Sequence, residues 1–285
     1  GDYFVILRRG RLFTVRQRDH GARALRAVGR ANAYPAGGSR GTWYDEMLVQ
    51  DDRIVVIGFG YRVGGTEIGL FKLHDDGQIT HQATHFLRSN DYYSARNYAS
   101  RLTRGKLIFY MPYYLRFHGD DPPLPAVASW QRRKGKATRW NEILTRTQIY
   151  RPVQPSLTPT LHTVVQCDLD RPELSCTARA VIGPYSRTFY VSRDAVYVWV
   201  AGQRRVFGSR VSHKQEIPSF LYRMPLLKEE VSAVQTRGAP IDQFSFKQTR
   251  AHINVMVTAT GGGDWMWNPE RPRGKLALLR LPLRA

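Results

Sequence analysis

Four polar residues that could bind a ligand lie together just before a predicted strand: Asp91, Tyr92, Tyr93 and Arg96. They bring a carboxylate, two phenols and a guanidinium, which can hydrogen-bond or pair with a polar or charged molecule. Loops between strands often carry binding residues, although most polar loop residues only order the loop. The sequence therefore offers this cluster as a candidate ligand site and leaves a purely structural role open.

A second candidate is the pair Trp265 and Trp267, which follows three consecutive glycines at 261–263. Exposed indole rings can stack on a sugar or on a nucleic-acid base. Aromatic side chains more often serve packing, so a hydrophobic plug is the favoured interpretation of this pair. The two tryptophans stay candidate ligand-binding residues beside that interpretation.

Catalytic and metal-binding signatures are weak throughout the chain. His162 could be combined with Asp168 or Asp170 and a serine, but no Gly-x-Ser-x-Gly elbow marks a nucleophile. The sequence has no His-Glu-x-x-His motif, phosphate-cradling loop or dinucleotide fingerprint. Acidic turns at 51–52 and 75–77 are more typical of hairpin tips than of calcium sites. The sequence predicts neither a metal nor a cofactor and favours a non-catalytic protein.

The two cysteines, Cys167 and Cys176, flank a short stretch that contains a proline. Two cysteines cannot complete a tetrahedral zinc site, and the nearest histidine, His162, gives no recurring metal spacing. A disulfide between neighbouring strands is the better explanation, and it indicates an oxidising compartment. Two reduced cysteines buried in the strands are the alternative.

The net charge is unusual, because 43 Lys and Arg residues stand against 23 Asp and Glu residues, which gives +20. Such an excess can attract a polyanion such as nucleic acid, anionic lipid or acidic polysaccharide. The basic residues are spread along the chain in short runs, which favours a generally positive surface over a nucleic-acid site. No apolar stretch is long enough to span a membrane.

Short runs rich in Val, Ile, Tyr and Phe alternate with Gly, Asp and Asn turns, a pattern typical of an all-β protein. The sequence predicts five hairpins, whose strand pairs are 3–7 with 12–15, 46–49 with 54–59, 68–73 with 79–84, 98–102 with 107–111, and 188–191 with 195–200. Further strands are predicted at 244–246, 253–257 and 276–281. The second and third hairpins place four antiparallel strands within about 40 residues, the size of one propeller blade. The regular recurrence of such hairpins along the sequence favours a β-propeller over a β-sandwich.

One segment, residues 116–155, interrupts the regular series of predicted hairpins. Residues 116–155 hold several prolines, a basic run and two tryptophans, which predicts a long surface excursion from a single domain spanning 1–285. Within this segment, 140–145 is expected to form one short helical turn. The chain begins Gly1-Asp2-Tyr3-Phe4, without an initiator Met or a signal peptide, as expected of a processed or trimmed product.

Three segments resemble secreted bacterial β-propeller-domain proteins, a family distantly related to WD repeats. The segments are Asn97–Leu102 with Lys106–Tyr110, Phe189–Val198, and Gly238–Phe246. The resemblance implies four-stranded antiparallel blades, about six or seven in a whole propeller. Because members of that family are longer, the chain is expected to be either a fragment of a propeller or one that another segment completes. It also implies export to the periplasm, the cell envelope or the exterior, and it is silent on activity.

Three functions are compatible with these observations. The favoured one is an exported, non-catalytic propeller that binds another protein or stabilises an assembly. The second is an enzyme, carbohydrate-active or otherwise hydrolytic, with its site at the mouth of the propeller channel. The third is polyanion binding through the basic surface.

Overall fold

The computed structural model describes residues 2–17, 25–35, 41–89, 100–115, 124–131, 133–153, 159–169, 174–184, 188–200, 218–226, 229–262 and 271–283. Over these residues the chain forms 22 strands and two single-turn 3-10 helices, arranged as five sheets. The prediction of an all-β fold is therefore confirmed. Over the same ranges, no helix has the length and apolar content needed to cross a membrane.

The first two sheets follow the predicted hairpins. The first contains β1 (Tyr3–Arg8), β2 (Arg11–Arg16) and β3 (Arg26–Asn32), side by side in that order. The second contains β4 (Thr42–Gln50), β5 (Arg53–Gly60), β6 (Gly65–Leu73) and β7 (Ile79–Leu87), also in chain order. The second sheet is thus the four-stranded unit that the second and third predicted hairpins required.

The third sheet is interrupted by the predicted excursion. It begins with β8 (Ser100–Thr103) and β9 (Lys106–Tyr114). The excursion then carries β10 (Ala126–Gln131), β11 (Lys136–Ala137), β12 (Asn141–Glu142), a 3-10 turn at Arg146–Gln148, and β13 (Ile149–Tyr150). The sheet resumes with β14 (Pro159–Asp168) and β15 (Ser175–Pro184), and its order is β13-β15-β14-β9-β8.

The described part of the excursion extends the outer edges of two sheets. β10 pairs with β7, and β11 and β12 pair with β10, so that the second sheet has seven strands in all. In the third sheet, β13 pairs in parallel with β15. The excursion therefore joins two neighbouring sheets at their rim. The helical turn expected at 140–145 was wrong, because β12 lies there. The 3-10 turn comes later, where Thr145 and Gln148 cap it reciprocally.

The fourth and fifth sheets complete the described fold. The fourth contains β16 (Thr188–Val191), β17 (Ala195–Val200), β18 (Ser219–Pro225) and β19 (Ser232–Thr236). The fifth contains β20 (Phe246–Gln248), β21 (His252–Gly262) and β22 (Arg271–Pro282). The strand predicted at 244–246 starts only at Phe246. A 3-10 turn precedes it, because Asp242 accepts hydrogen bonds from the N–H groups of Phe244 and Ser245 and caps that turn.

An apolar cluster lies between each pair of successive sheets. On β5, for example, Ile54 and Val56 pack toward the first sheet, and Val55 and Ile57 pack toward the third. This alternation follows from the two faces of a strand, and it shows that the second sheet is covered on both sides. Similar clusters join the third sheet to the fourth and the fourth to the fifth. The five sheets therefore stack face to face in chain order, as the blades of a propeller do.

One edge of each sheet lies near a common axis. Contacts join β1 to β4, β4 to β8, and β16 to the 3-10 turn before β20. The turns that follow β8 and β16 are neighbours, since Arg104 and Asp194 form an ion pair of 3.1 Å. The inner strands β4, β8, β16 and β20 therefore run in one direction. We call the end at which they begin the top face, and the end at which they finish the bottom face.

The first sheet departs from this plan. The Tyr3 hydroxyl, at the start of β1, donates a 2.9 Å hydrogen bond to the Asp75 carbonyl, in the bottom-face turn between β6 and β7. At the top face, the Tyr44 hydroxyl lies 3.3 Å from the Ala33 carbonyl, just after β3. β1 therefore runs from bottom to top, opposite to β4, and occupies the second position of a blade rather than the inner one.

The two terminal sheets are three-stranded over the described residues, so four-stranded blades hold for the second, third and fourth sheets. The first sheet supplies a second, third and outer strand, and the fifth supplies an inner, second and third strand. Their outward faces are apolar and exposed, with Ile6 at 44% on β1 and Leu278 at 69% on β22. A whole propeller of about six or seven blades stays a prediction.

Candidate functional site

Exposed aromatic side chains gather on the top face, where β4 begins and β5 ends. Trp43 pairs across the strands with Phe59, and the rings of Phe59 and Tyr61 meet edge to face at 5.0 Å. Trp43 is 65% exposed and Tyr61 is 58% exposed, and Arg62 follows in the same exposed turn. We call Trp43, Phe59, Tyr61 and Arg62 the top-face cluster. Tryptophan, tyrosine and arginine are the side chains that most often carry binding energy at interfaces.

Acidic and basic residues are distributed unequally between the two faces. The bottom face carries the following carboxylates on or beside its turns: Asp51, Asp52, Asp75, Asp76, Asp168, Asp194, Glu229 and Glu230. The top face carries the following exposed arginines: Arg8, Arg9, Arg11, Arg62 and Arg237. The charge is evenly spread along the sequence because successive turns alternate between faces. The bottom face also carries exposed basic residues, which its carboxylates offset, whereas few described carboxylates offset the arginines of the top face; these bottom-face residues are Arg26, Lys72, Arg104, Lys106, Arg193 and Arg250.

A carboxylate is buried behind the top-face cluster, on the opposite side of the second sheet. Glu67 on β6 is 2% exposed. One of its oxygens accepts a 2.6 Å hydrogen bond from Thr42 Oγ1, and the other accepts a hydrogen bond from the Tyr44 hydroxyl. Burial raises the pKa of Glu67, and the two hydrogen bonds oppose that rise only in part. Both oxygens are held by protein donors, so this carboxylate links the inner strand β4 to β6.

Gly58 makes this link possible. Tyr44, Gly58 and Glu67 form one row across β4, β5 and β6. Because Gly58 has no side chain, the Tyr44 ring can lie over β5 and reach the carboxylate beyond it. A Cβ atom at position 58 would lie 2.7 Å from Tyr44 Cδ1 and 2.3 Å from the Trp43 carbonyl oxygen. This buried cluster was not predicted from the sequence; glycines at alternate positions of an otherwise apolar strand are the signal that could have revealed it.

A Gly58→Ala substitution should therefore lower the free energy of unfolding by about 1–3 kcal/mol, because a backbone oxygen cannot move aside cheaply. Gly60→Ala is the matched control on the same strand and the same side. Its added Cβ would meet its nearest neighbour, Glu67 Oε2, at an ordinary 3.5 Å. Denaturant unfolding of both variants checks this account, and equal losses at positions 58 and 60 would contradict it.

The arrangement of the five stacked sheets agrees with a comparison between this sequence and models of protein families. A family model described as a beta propeller domain matches residues 1–280. The chain belongs to the β-propeller-domain family. The match extends the resemblance from three short segments to all five sheets. A comparison with curated proteins gave no match.

The excursion of this propeller is fixed to the top face through Arg88, which follows β7. The Arg88 guanidinium lies 5.0 Å from the centre of the Trp140 ring and donates a 3.1 Å hydrogen bond to the Leu124 carbonyl. The Arg88 backbone N–H also donates to the Ala126 carbonyl at 2.8 Å. Trp140 therefore packs against the Arg88 guanidinium, and the three contacts together hold the start of β10 beside the end of β7.

The ligand-binding residues proposed from the sequence lie outside the described residues of the propeller: Asp91, Tyr92, Tyr93, Arg96, Trp265 and Trp267. The described strand ends on either side of them are the end of β7, the start of β8, the end of β21 and the start of β22, which all lie at the top face. These residues stay predictions.

The predicted disulfide is present between Cys167 and Cys176. The two cysteines face each other in the register of β14 and β15, with their Cα atoms 4.1 Å apart. Cys167 is fully buried in the cluster between the second and third sheets. The disulfide therefore fastens the outer half of the third blade close to the bottom face.

His162, a candidate member of a catalytic group by sequence, lies in the core of the propeller. It is 0% exposed, and its Nε2 lies 2.9 Å from the Pro184 carbonyl, which can only accept. Nε2 therefore carries the proton, and Nδ1 accepts a 2.8 Å hydrogen bond from the Tyr110 hydroxyl. Burial lowers the pKa of His162 to about 4. Over the described residues, no three His, Cys, Asp or Glu side chains form a group that could hold a metal ion.

Proposed function

We propose that this chain is an exported, non-catalytic interaction propeller that binds an acidic protein partner through its top face. The observation that carries the proposal is the combination of the exposed top-face cluster with exposed arginines at the same end. Most of the described carboxylates lie at the opposite end, where they offset its basic residues, so an acidic partner would be attracted more strongly to the top face than to the bottom turns.

Physical chemistry favours this surface for binding. A partner that covers Trp43 and Tyr61 removes large aromatic areas from water, which is the main source of affinity at interfaces. The arginines around them steer an acidic surface toward the same spot and fix its orientation. The two contributions differ in salt dependence, since charge steering weakens at high ionic strength while aromatic burial does not.

Two carboxylates that the structure describes at the top face are already committed to hydrogen bonds within the protein, and this favours a binding function over a catalytic one. Glu67 is buried and already accepts hydrogen bonds from Thr42 and Tyr44. Asp242 caps the 3-10 turn before β20. Acid–base catalysis of hydrolysis requires carboxyl groups that reach the substrate, and both of these groups are committed to the protein itself.

Export is supported by the disulfide. Cross-strand disulfides persist in oxidising compartments and are reduced in the cytosol. Secretion places a strongly basic propeller among acidic components of the cell envelope or its surroundings, and this location fits a partner that carries negative charge.

The double variant Arg11→Glu/Arg62→Glu should weaken binding to poly-L-glutamate, a probe for an acidic protein surface, by about tenfold or more at low salt. The matched control is Lys106→Glu/Arg193→Glu. It changes the net charge equally but alters exposed residues at the bottom face. Titration at several salt concentrations measures both the affinity and its salt dependence.

Equal weakening by the two double variants would contradict the proposal, because only the total charge would then matter. Heparin is titrated in parallel, as a sulfated polysaccharide. Binding of heparin without binding of poly-L-glutamate would overturn the protein-partner proposal and assign the top face to a polyanion.

A further inference from the structure

The rim that the excursion forms on the second and third sheets is strongly basic. Over residues 124–131 and 133–153 Glu142 is the only carboxylate, although the whole chain carries 23 acidic residues against 43 basic ones. By contrast, the outer strand of the fourth sheet and the residues just before it, 229–236, hold Glu229 and Glu230 and no lysine or arginine. The positive charge therefore belongs to this rim and not to every rim. We define the basic rim by its exposed cationic side chains: Arg133, Lys134, Lys136, Arg139, Arg146 and Arg151.

The β10–β11 hairpin presents the first three of these cations on a projecting tip. β10 pairs with β7 only as far as Ser129, and its next residues pair with β11. The tip is ordered by its own backbone, since the N–H groups of Lys134 and Gly135 donate to the Gln131 carbonyl at 3.1 and 2.9 Å. At its base the Thr138 N–H donates to the Ser129 carbonyl at 2.8 Å. The hairpin therefore holds its cations in place beyond the edge of the blade.

The excursion adds this rim to blades that are already complete. The second sheet has four strands in β4–β7, and the third has four in β8, β9, β14 and β15. The excursion also brings less polar side chains to the same edge, where Tyr150 is 36% exposed and Val153 is 53% exposed. The Val153 N–H donates a 3.3 Å hydrogen bond to the Tyr222 hydroxyl on β18, which fixes this end of the rim. Tyrosine and aliphatic side chains next to arginine are typical of surfaces that settle at the lipid headgroup level.

We propose that the basic rim binds the surface of an anionic phospholipid bilayer, with its lysines and arginines on the lipid phosphates and Tyr150 among the headgroups. Each Lys or Arg that reaches a negatively charged membrane contributes separately, so no shaped groove is required. A nucleic-acid strand is instead followed by cations along one continuous groove, whereas the cations of the rim come from a hairpin and a 3-10 turn on two sheets. A flat partner therefore fits this surface best. The basic rim shares no residue with the top-face cluster, so a membrane-bound propeller can still bind a protein partner.

Cosedimentation with vesicles tests the proposal. One preparation is phosphatidylcholine alone, and the other contains about equal amounts of phosphatidylcholine and phosphatidylglycerol. The salt concentration is about 0.1 M, so that charges farther than about 10 Å from the lipid are largely screened. The rim variant is Arg133→Glu/Lys134→Glu, in the exposed turn of the hairpin. Its matched control is the top-face variant Arg11→Glu/Arg62→Glu, which changes the net charge equally.

The wild type should bind the vesicles that contain phosphatidylglycerol and not those of phosphatidylcholine alone. The rim variant should bind them at least about tenfold more weakly, and the top-face variant should stay within about threefold of the wild type. Poly-L-glutamate should give the opposite order, which separates a failure at the rim from a failure at the top face. Absence of vesicle binding, equal binding to both preparations or equal weakening by both variants would overturn the proposal. Binding of heparin or duplex DNA that the rim variant loses, with the vesicles unbound, would assign the rim to a polyanionic chain and overturn it as well.

Discussion

Replacing both cysteines, as Cys167→Ala/Cys176→Ala, should lower the free energy of unfolding by about 2–3 kcal/mol from the lost cross-link alone. The two cysteines are 9 residues apart in the sequence, so the bond closes a small loop in the unfolded chain. Loss of that constraint gives the unfolded state more conformational freedom. Truncation at Cys167 adds to the effect, because its side chain is fully buried beside Leu107 and Val165.

Guanidinium unfolding with and without a reductant separates these contributions. Reduction breaks the cross-link but leaves both sulfur atoms in place, so the reduced wild type should lie between the oxidised wild type and the double variant. The double variant should not respond to reductant. Two free thiols in the native protein, counted by alkylation and mass spectrometry, would contradict the structure.

Acidification should destabilise the propeller between about pH 6.5 and pH 4 through His162, by about 3 kcal/mol in total. Burial lowers the pKa of this side chain in the folded protein from 6.5 to about 4. In that pH range the unfolded chain binds the proton more tightly than the folded one. The stability contribution is therefore complete at neutral pH and is lost as the pH falls toward the folded value.

Two variants isolate this effect from the titration of other groups. His162→Gln keeps a polar side chain between Tyr110 and Pro184 but cannot titrate, so its unfolding free energy should fall less between pH 7 and pH 4. Tyr110→Phe removes a hydrogen bond to His162 and leaves the imidazole in place, so it should keep most of the wild-type pH dependence. His85, whose pKa burial also lowers to about 4, should contribute in the same direction in all three proteins. An unchanged slope in His162→Gln would contradict this account.

Much of the fold could be predicted because its hairpins are local. Alternating apolar residues on either side of a short turn define both strands and their pairing, as at 46–49 and 54–59. The cysteine pair was equally accessible, since a short loop favours two adjacent strands. The incomplete first blade could not be predicted in this way. A hairpin pattern gives the pairing of β1 with β2, but it does not show which of the two lies nearer the axis.

The candidate site was harder to predict because its residues come together only when successive sheets stack. Trp43 and Tyr61 occur in separate strand and turn segments, and nothing in their spacing marks a surface cluster. The separation of charge between the faces was missed for a related reason. Turns such as Asp51-Asp52 and Arg8-Arg9 alternate along the sequence, and only the strand directions assign them to opposite ends.

The central claim, that the top face is the binding surface, is tested most directly by mapping where an acidic probe touches the propeller. Hydrogen exchange with and without poly-L-glutamate provides that map. Binding should protect the top-face turns at 8–11 and 61–64 and leave the bottom-face turns at 51–52, 104–105 and 193–194 unchanged. Protection at the bottom-face turns, with the top face unaffected, would contradict the account.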